Sequence, residues 1–146
     1  MKKIIMILAV SLAFQSCSDN CDEGNQATPA SFFIKIVNET SEENVFENGT
    51  YTSQQIIIED LDEASIPYKF IQNSNLIQIF PPVVNPTGNL LLIKLNNETT
   101  LQMDEINVNY IVSSKKGECF TTFKIENILF PNNASEFIEG IYVIKI

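Results

Sequence analysis

From Ser31 to Ile146 the chain repeats one pattern: a short run rich in Ile, Val, Phe and Tyr, then a cluster of turn residues. Asn and Gly tolerate positive φ, and Pro presets the backbone entering a turn. Such clusters stand at Asn38 to Asn44, Asn48-Gly49, Asp60 to Ser65, Asn73-Ser74-Asn75, Asn85-Pro86-Thr87-Gly88, Asn96-Asn97, Lys115-Lys116-Gly117 and Pro131-Asn132-Asn133. Between them lie strand candidates at 31–37, 51–60, 67–72, 75–80, 89–95, 105–112, 118–129 and 139–146. Beyond the N-terminal segment no window carries apolar residues at helical spacing over ten residues. Only 60–65 and 133–139 admit short helical turns. Regular short strands separated by such turns point to an all-β domain, an immunoglobulin-like antiparallel β-sandwich of about eight strands, with an open β-barrel as the alternative.

Side-chain alternation picks out the inner faces, because successive residues of a strand point to opposite sides. Ile106, Val108, Tyr110 and Val112 share one face, opposite Asn107 and Asn109. Cys119, Thr121, Phe123 and Ile125 oppose Thr122, Lys124 and Glu126. Leu90-Leu91-Leu92-Ile93 is apolar on both faces, which predicts a central strand covered on both sides.

Composition narrows the chemistry. With 45% hydrophobic and 18% charged residues the chain has ample apolar surface to bury. It has no His, so no His-based triad, His-ligated zinc or haem proximal ligand can be built. The formal charge is −9 and every cation is a lysine. Phosphate recognition needs a basic patch, so a nucleic-acid partner is not expected.

The N-terminus speaks to compartment. Lys2 and Lys3 precede an apolar run from Ile4 to Phe14, too short to span a bilayer and shaped like a secretory signal peptide. Ser16 directly precedes Cys17. This junction resembles a bacterial lipobox, in its looser Bacteroidota form because Phe14 and Gln15 depart from the commonest pattern. Ser18-Asp19-Asn20-Cys21-Asp22-Glu23 is similar to the acidic stretch that marks such lipoproteins for the cell surface. The resemblance implies lipidation at Cys17 and a chain anchored in the outer membrane or at the cell surface; the alternative is cleavage without lipidation and a periplasmic protein. The expected organisation is a signal peptide at 1–16, a lipidated cysteine and flexible acidic tether at 17–30, and a β-sandwich domain at 31–146. Loss of Lys2 and Lys3 leaves seven lysines against eighteen acids. Anionic headgroups repel such a domain, which predicts that it stands off the membrane.

The remaining candidates are weaker. In an oxidising compartment Cys21 and Cys119 can pair as a disulfide; the plainer reading has Cys119 as a small buried hydrophobe. Asp60, Asp62 and Glu63 lie within an acidic run, and Asp104-Glu105 forms a second pair. Calcium takes six to eight oxygen ligands, yet neither cluster has EF-hand spacing, so a solvated turn is the leading reading. Paired carboxylates suit glycoside hydrolysis only weakly. Tyr51 and Tyr68 are candidates for a sugar platform, although residues of this kind usually complete a core. Sequons at Asn38, Asn48, Asn97 and Asn133 fall in the turn clusters. No cofactor is implied. The expected function is a non-enzymatic cell-envelope lipoprotein presenting its domain to an unknown envelope protein or polymer; the alternative is a glycan- or calcium-binding module.

Overall fold

The computed structural model describes residues 29–83, 88–117 and 120–146. Among these described residues nine strands are present: β1 (Phe32–Val37), β2 (Ile56–Asp60), β3 (Tyr68–Ile71), β4 (Leu76–Ile79), β5 (Asn89–Asn97), β6 (Gln102–Lys116), β7 (Thr121–Leu129), β8 (Ser135–Ile138) and β9 (Ile141–Lys145). They form two sheets, ordered β3-β4-β1-β9-β8 and β2-β5-β6-β7. Neither sheet closes into a barrel, and no α-helix occurs among the described residues.

Each sheet supplies one face of a single core. Ile34 and Ile36 of β1, Ile77 and Ile79 of β4 and Ile144 of β9 meet Leu91, Ile93 and Leu95 of β5 with Ile106 and Val108 of β6. All of these are fully buried. Each such side chain contributes about 1.5–3 kcal/mol by leaving water. Ile106, Val108, Tyr110 and Val112 are buried as alternation requires, and Asn107 and Asn109 lie on the opposite face.

Four expectations change. The pairing is not antiparallel throughout, because β1 runs parallel to β9 along Phe33↔Ile141 to Val37↔Lys145. A ninth strand, β8, stands where 133–139 suggested a helical turn; it pairs with β9 from Ser135↔Ile144 to Ile138↔Ile141. The 60–65 segment is a hydrogen-bonded turn that folds back so that Ser65 bridges to Glu59. The 51–60 run opens with a short 3-10 turn, Ser53–Gln55, before β2 begins. Here the Gln55 side chain accepts a hydrogen bond from the Thr52 amide, and the Gln55 amide donates to the Thr52 carbonyl.

Alternation along β7 breaks at one residue. Glu126 pairs with Ile111 and Leu129 with Asn109, so β7 carries one extra residue against β6. Asn127 within this β-bulge has φ +52°, a conformation that Asn tolerates better than most side chains. The inner phase therefore moves from Phe123 and Ile125 to Ile128 and Phe130, both buried.

Hydrogen-bonded carboxamides finish the end of the domain where β1 stops. Asn38 accepts from the amides of Thr40 and Ser41. Asn48 accepts from the amide and hydroxyl of Thr50. Asn97, itself buried, donates to the Thr50 carbonyl at 2.8 Å and accepts from the amides of Thr99 and Thr100. Asn133 donates to the Lys145 carbonyl. Three of the four sequons are thus Asx-type turns, in which the Asn side chain caps the residues that follow it.

Candidate functional site

The acidic run and the doubly apolar strand meet at one place. Asp60 ends β2, and its Oδ1 accepts from the amides of Asp62 and Ala64, both at 2.9 Å. The Asp60 amide donates to the Ala64 carbonyl and the Glu63 amide to the Asp60 carbonyl. Glu63 has φ +60°. The Asp60 carboxylate is thereby committed to its own turn, while Asp62 and Glu63 point into solvent. Glu59, on the outer face of β2, forms an ion pair with Lys94 of β5. This pairing holds the Lys94 ammonium above its ordinary pKa.

This turn presents Leu61 to solvent at 75% exposure. Leu61 walls an open groove of about 620 Å³ on the outer face of the four-stranded sheet, with Leu90, Asn109, Ile111 and Leu129 among its lining. The two faces of β5 explain it. Leu91, Ile93 and Leu95 fill the core, whereas Leu90 and Leu92 are half-buried on the far side. The expectation that β5 is covered on both sides is therefore corrected: nothing among the described residues closes over Leu90. Tyr110 closes the base of the groove and donates to the Pro82 carbonyl at 3.3 Å. Burial, then the Asp60 charge, raises its phenol pKa.

Leu129, 61% exposed, also lines a second hollow of about 420 Å³ beside Phe130, Phe137 and Tyr142. The Tyr142 ring packs on Phe137 at 4.6 Å, on Phe130 at 5.5 Å and edge-on against Phe32 at 6.3 Å between centroids. Phe137 is nevertheless 62% exposed. β8 is an edge strand, and its side facing the core overhangs this hollow.

Other sequence candidates have structural places. Tyr51 is buried, and its hydroxyl donates to Asp104 Oδ2, which Gln102 Nε2 also approaches at 3.1 Å. Burial and the Asp104 carboxylate push the Tyr51 phenol well above its ordinary pKa. Tyr68 is half-buried and donates to the Ile56 carbonyl at 3.0 Å, tying one sheet to the other. Neither ring presents an open platform. Among the described residues no group of three or more His, Cys, Asp or Glu is placed to hold a metal ion. Cys17, Cys21 and Cys119 lie outside the described residues.

The residues that build the groove were missed as a site by sequence reasoning. Two signals were present: a single Leu at the centre of Glu59-Asp60-Leu61-Asp62-Glu63, and an apolar outer face on Leu90 and Leu92. No protein family, curated protein or solved structure matches the chain.

Proposed function

We propose that the protein is a non-enzymatic cell-envelope lipoprotein, anchored through Cys17, that presents its domain to a protein or polymer of the envelope. In layering and size the domain resembles an immunoglobulin-like sandwich, from which the central parallel β1–β9 pair departs. One observation carries the interaction reading. The outer face of a sheet holds an apolar groove with two protruding leucines, and a second hollow adjoins it at Leu129. Contiguous exposed apolar surface of this kind marks interaction sites in folded proteins. Carboxamides at Asn109 and Asn127 line the apolar patch and Asp62 lines the hollow that adjoins it at Leu61, a polar margin common to protein interfaces.

Two measurements in cells test this. Cys17→Ala releases the protein from the membrane fraction; retention after a high-salt wash refutes the anchor. A photo-crosslinking residue at Leu61 yields an adduct of discrete mass that is lost when Leu129→Asp is added. The same residue at Leu101, exposed in the β5–β6 turn, yields none. Equal labelling from both positions, or none from Leu61, overturns the docking role.

A further inference from the structure

The β6–β7 hairpin outruns its sheet. The last residue of β6 that β5 pairs is Tyr110, opposite Asn89. Among the described residues, Ile111 to Lys116 pair only with β7, ending at Lys116↔Thr121. Six residues at about 3.3 Å each make an arm of about 20 Å. Val112 anchors its base in the core, and the distal residues Ser114 to Lys116 and Thr121 to Lys124 are all exposed.

We propose that this arm is a membrane-contacting element that seats on an anionic lipid surface. It carries Lys115, Lys116 and Lys124, three of the seven lysines that follow the signal segment of a strongly acidic chain. Lys124 is paired with Glu126 at 3.1 Å, which leaves Lys115 and Lys116 as the cations of the distal end, against one glutamate, Glu118, in the sequence. Phe120 and Phe123, 38% and 41% exposed, add apolar mass between the lysines. Aromatic rings at headgroup depth with lysines reaching to phosphates is an interfacial combination.

Position supports the same assignment. β1 begins at Phe32, whose ring meets Tyr142, which meets Phe130. Phe130 follows Leu129, the partner of Asn109 at the arm's root. The chain therefore enters the domain at the end from which the arm leaves. A coil of fourteen residues, the length of the expected tether, has an r.m.s. span of about 20 Å, which matches the arm. Tethering makes even a weak contact effectively intramolecular.

Acids at that end do not cancel the contact. Asp60 pairs with Leu91, and Leu91 with Val108, eight residues before Lys116. The turn that follows Asp60 reaches further, since Leu61 lines one groove with Ile111, five residues before Lys116, so its carboxylates lie about 16 Å behind the distal lysines along the strand. That exceeds one Debye length of about 8–10 Å. Glu139, in the β8–β9 turn, sits beside the Phe33↔Ile141 pair where the chain enters. The acidic body is repelled while the arm is attracted, which orients the domain.

This inference rests on the tethered reading, so its test supplies the tether chemically. Residues 17–146 carrying Cys21→Ser and Cys119→Ser are coupled through the Cys17 thiol to a maleimide lipid in vesicles. The chain has no Trp, so a single Trp at Phe120→Trp or Leu101→Trp reports depth through quenching by brominated acyl chains. In vesicles containing phosphatidylglycerol, Phe120→Trp emission falls about twofold and Leu101→Trp emission is unchanged. Adding Lys115→Glu and Lys116→Glu restores the emission seen in pure phosphatidylcholine. If that pair lowers the thermal midpoint, Lys115→Gln with Lys116→Gln replaces it. Equal quenching at both positions, no quenching, or quenching indifferent to lipid charge and to the lysines overturns the proposal. So does a Trp response to protein concentration without vesicles, which assigns the arm to a second copy. Native anchoring is read separately by release of Cys17→Ala, so either idea can fail alone.

Discussion

The two sides of the core are built differently. Along β5 and β6 the inner residues Ile93, Leu95, Ile106 and Val108 have no exposure at all. Along β7 and β8 the residues on the same side, Phe123 and Phe137, stay substantially exposed although they follow the same alternation. The first region is covered by a facing sheet; the second is made of edge strands that overhang it. Apolar residues are therefore of two kinds here: those of the central strands are enclosed, and those of the edge strands stay accessible to solvent.

Truncating one residue on each side gives the sharpest break. Ile93→Ala removes a fully enclosed side chain and lowers stability by about 2–5 kcal/mol. Phe137→Ala loses chiefly its contact with Tyr142 and costs about 1 kcal/mol. Urea unfolding of both variants measures the gap, and equal losses would mean that the β8 edge is as closed as the centre.

Asn97→Ala tests the polar end of the closed region. It strips the Thr50 carbonyl and the amides of Thr99 and Thr100 of partners at a buried site. The expected loss is about 1–3 kcal/mol, read by the same titration, whereas exposed Asp62→Asn stays within about 0.5 kcal/mol.

A last effect depends on pH. Tyr51 ionises less readily in the fold than in the unfolded chain, because burial and Asp104 oppose the phenolate. Its stabilising contribution is complete below about pH 10 and is lost as pH rises towards the folded value. Tyr51→Phe should flatten the decline of stability above pH 10 by at most about 1.4 kcal/mol per pH unit. Tyr110 and Tyr142, also raised by burial, retain the rest of the slope together with Lys94 and Lys145, raised by their glutamate partners. An identical pH profile for the variant would refute the role of that hydroxyl.

Strands were legible wherever burial imposes a period. Ile106 to Val112 reads as inward and outward in the sequence and is so in the fold. β8 was illegible for the converse reason: all four of its residues are exposed, so no buried position imposes a period on Ser-Glu-Phe-Ile. The bulge at Asn127 hides in an ordinary Glu-Asn pair, since an extra residue shows only against a partner strand. The acidic run was visible, but not that Asp60 serves its own turn while Leu61 serves the groove. That division depends on which carboxylate reaches the backbone amides.

The parallel β1–β9 pair has a kinetic consequence. Phe33 and Ile141, neighbours at the centre of the five-stranded sheet, are far apart along the chain, and closing so long a loop is entropically slow. A chain made from its N-terminus cannot complete this sheet until its last strand is available. β1 must wait with one edge unpaired, so the nascent domain remains open and threadable until nearly all of it has emerged.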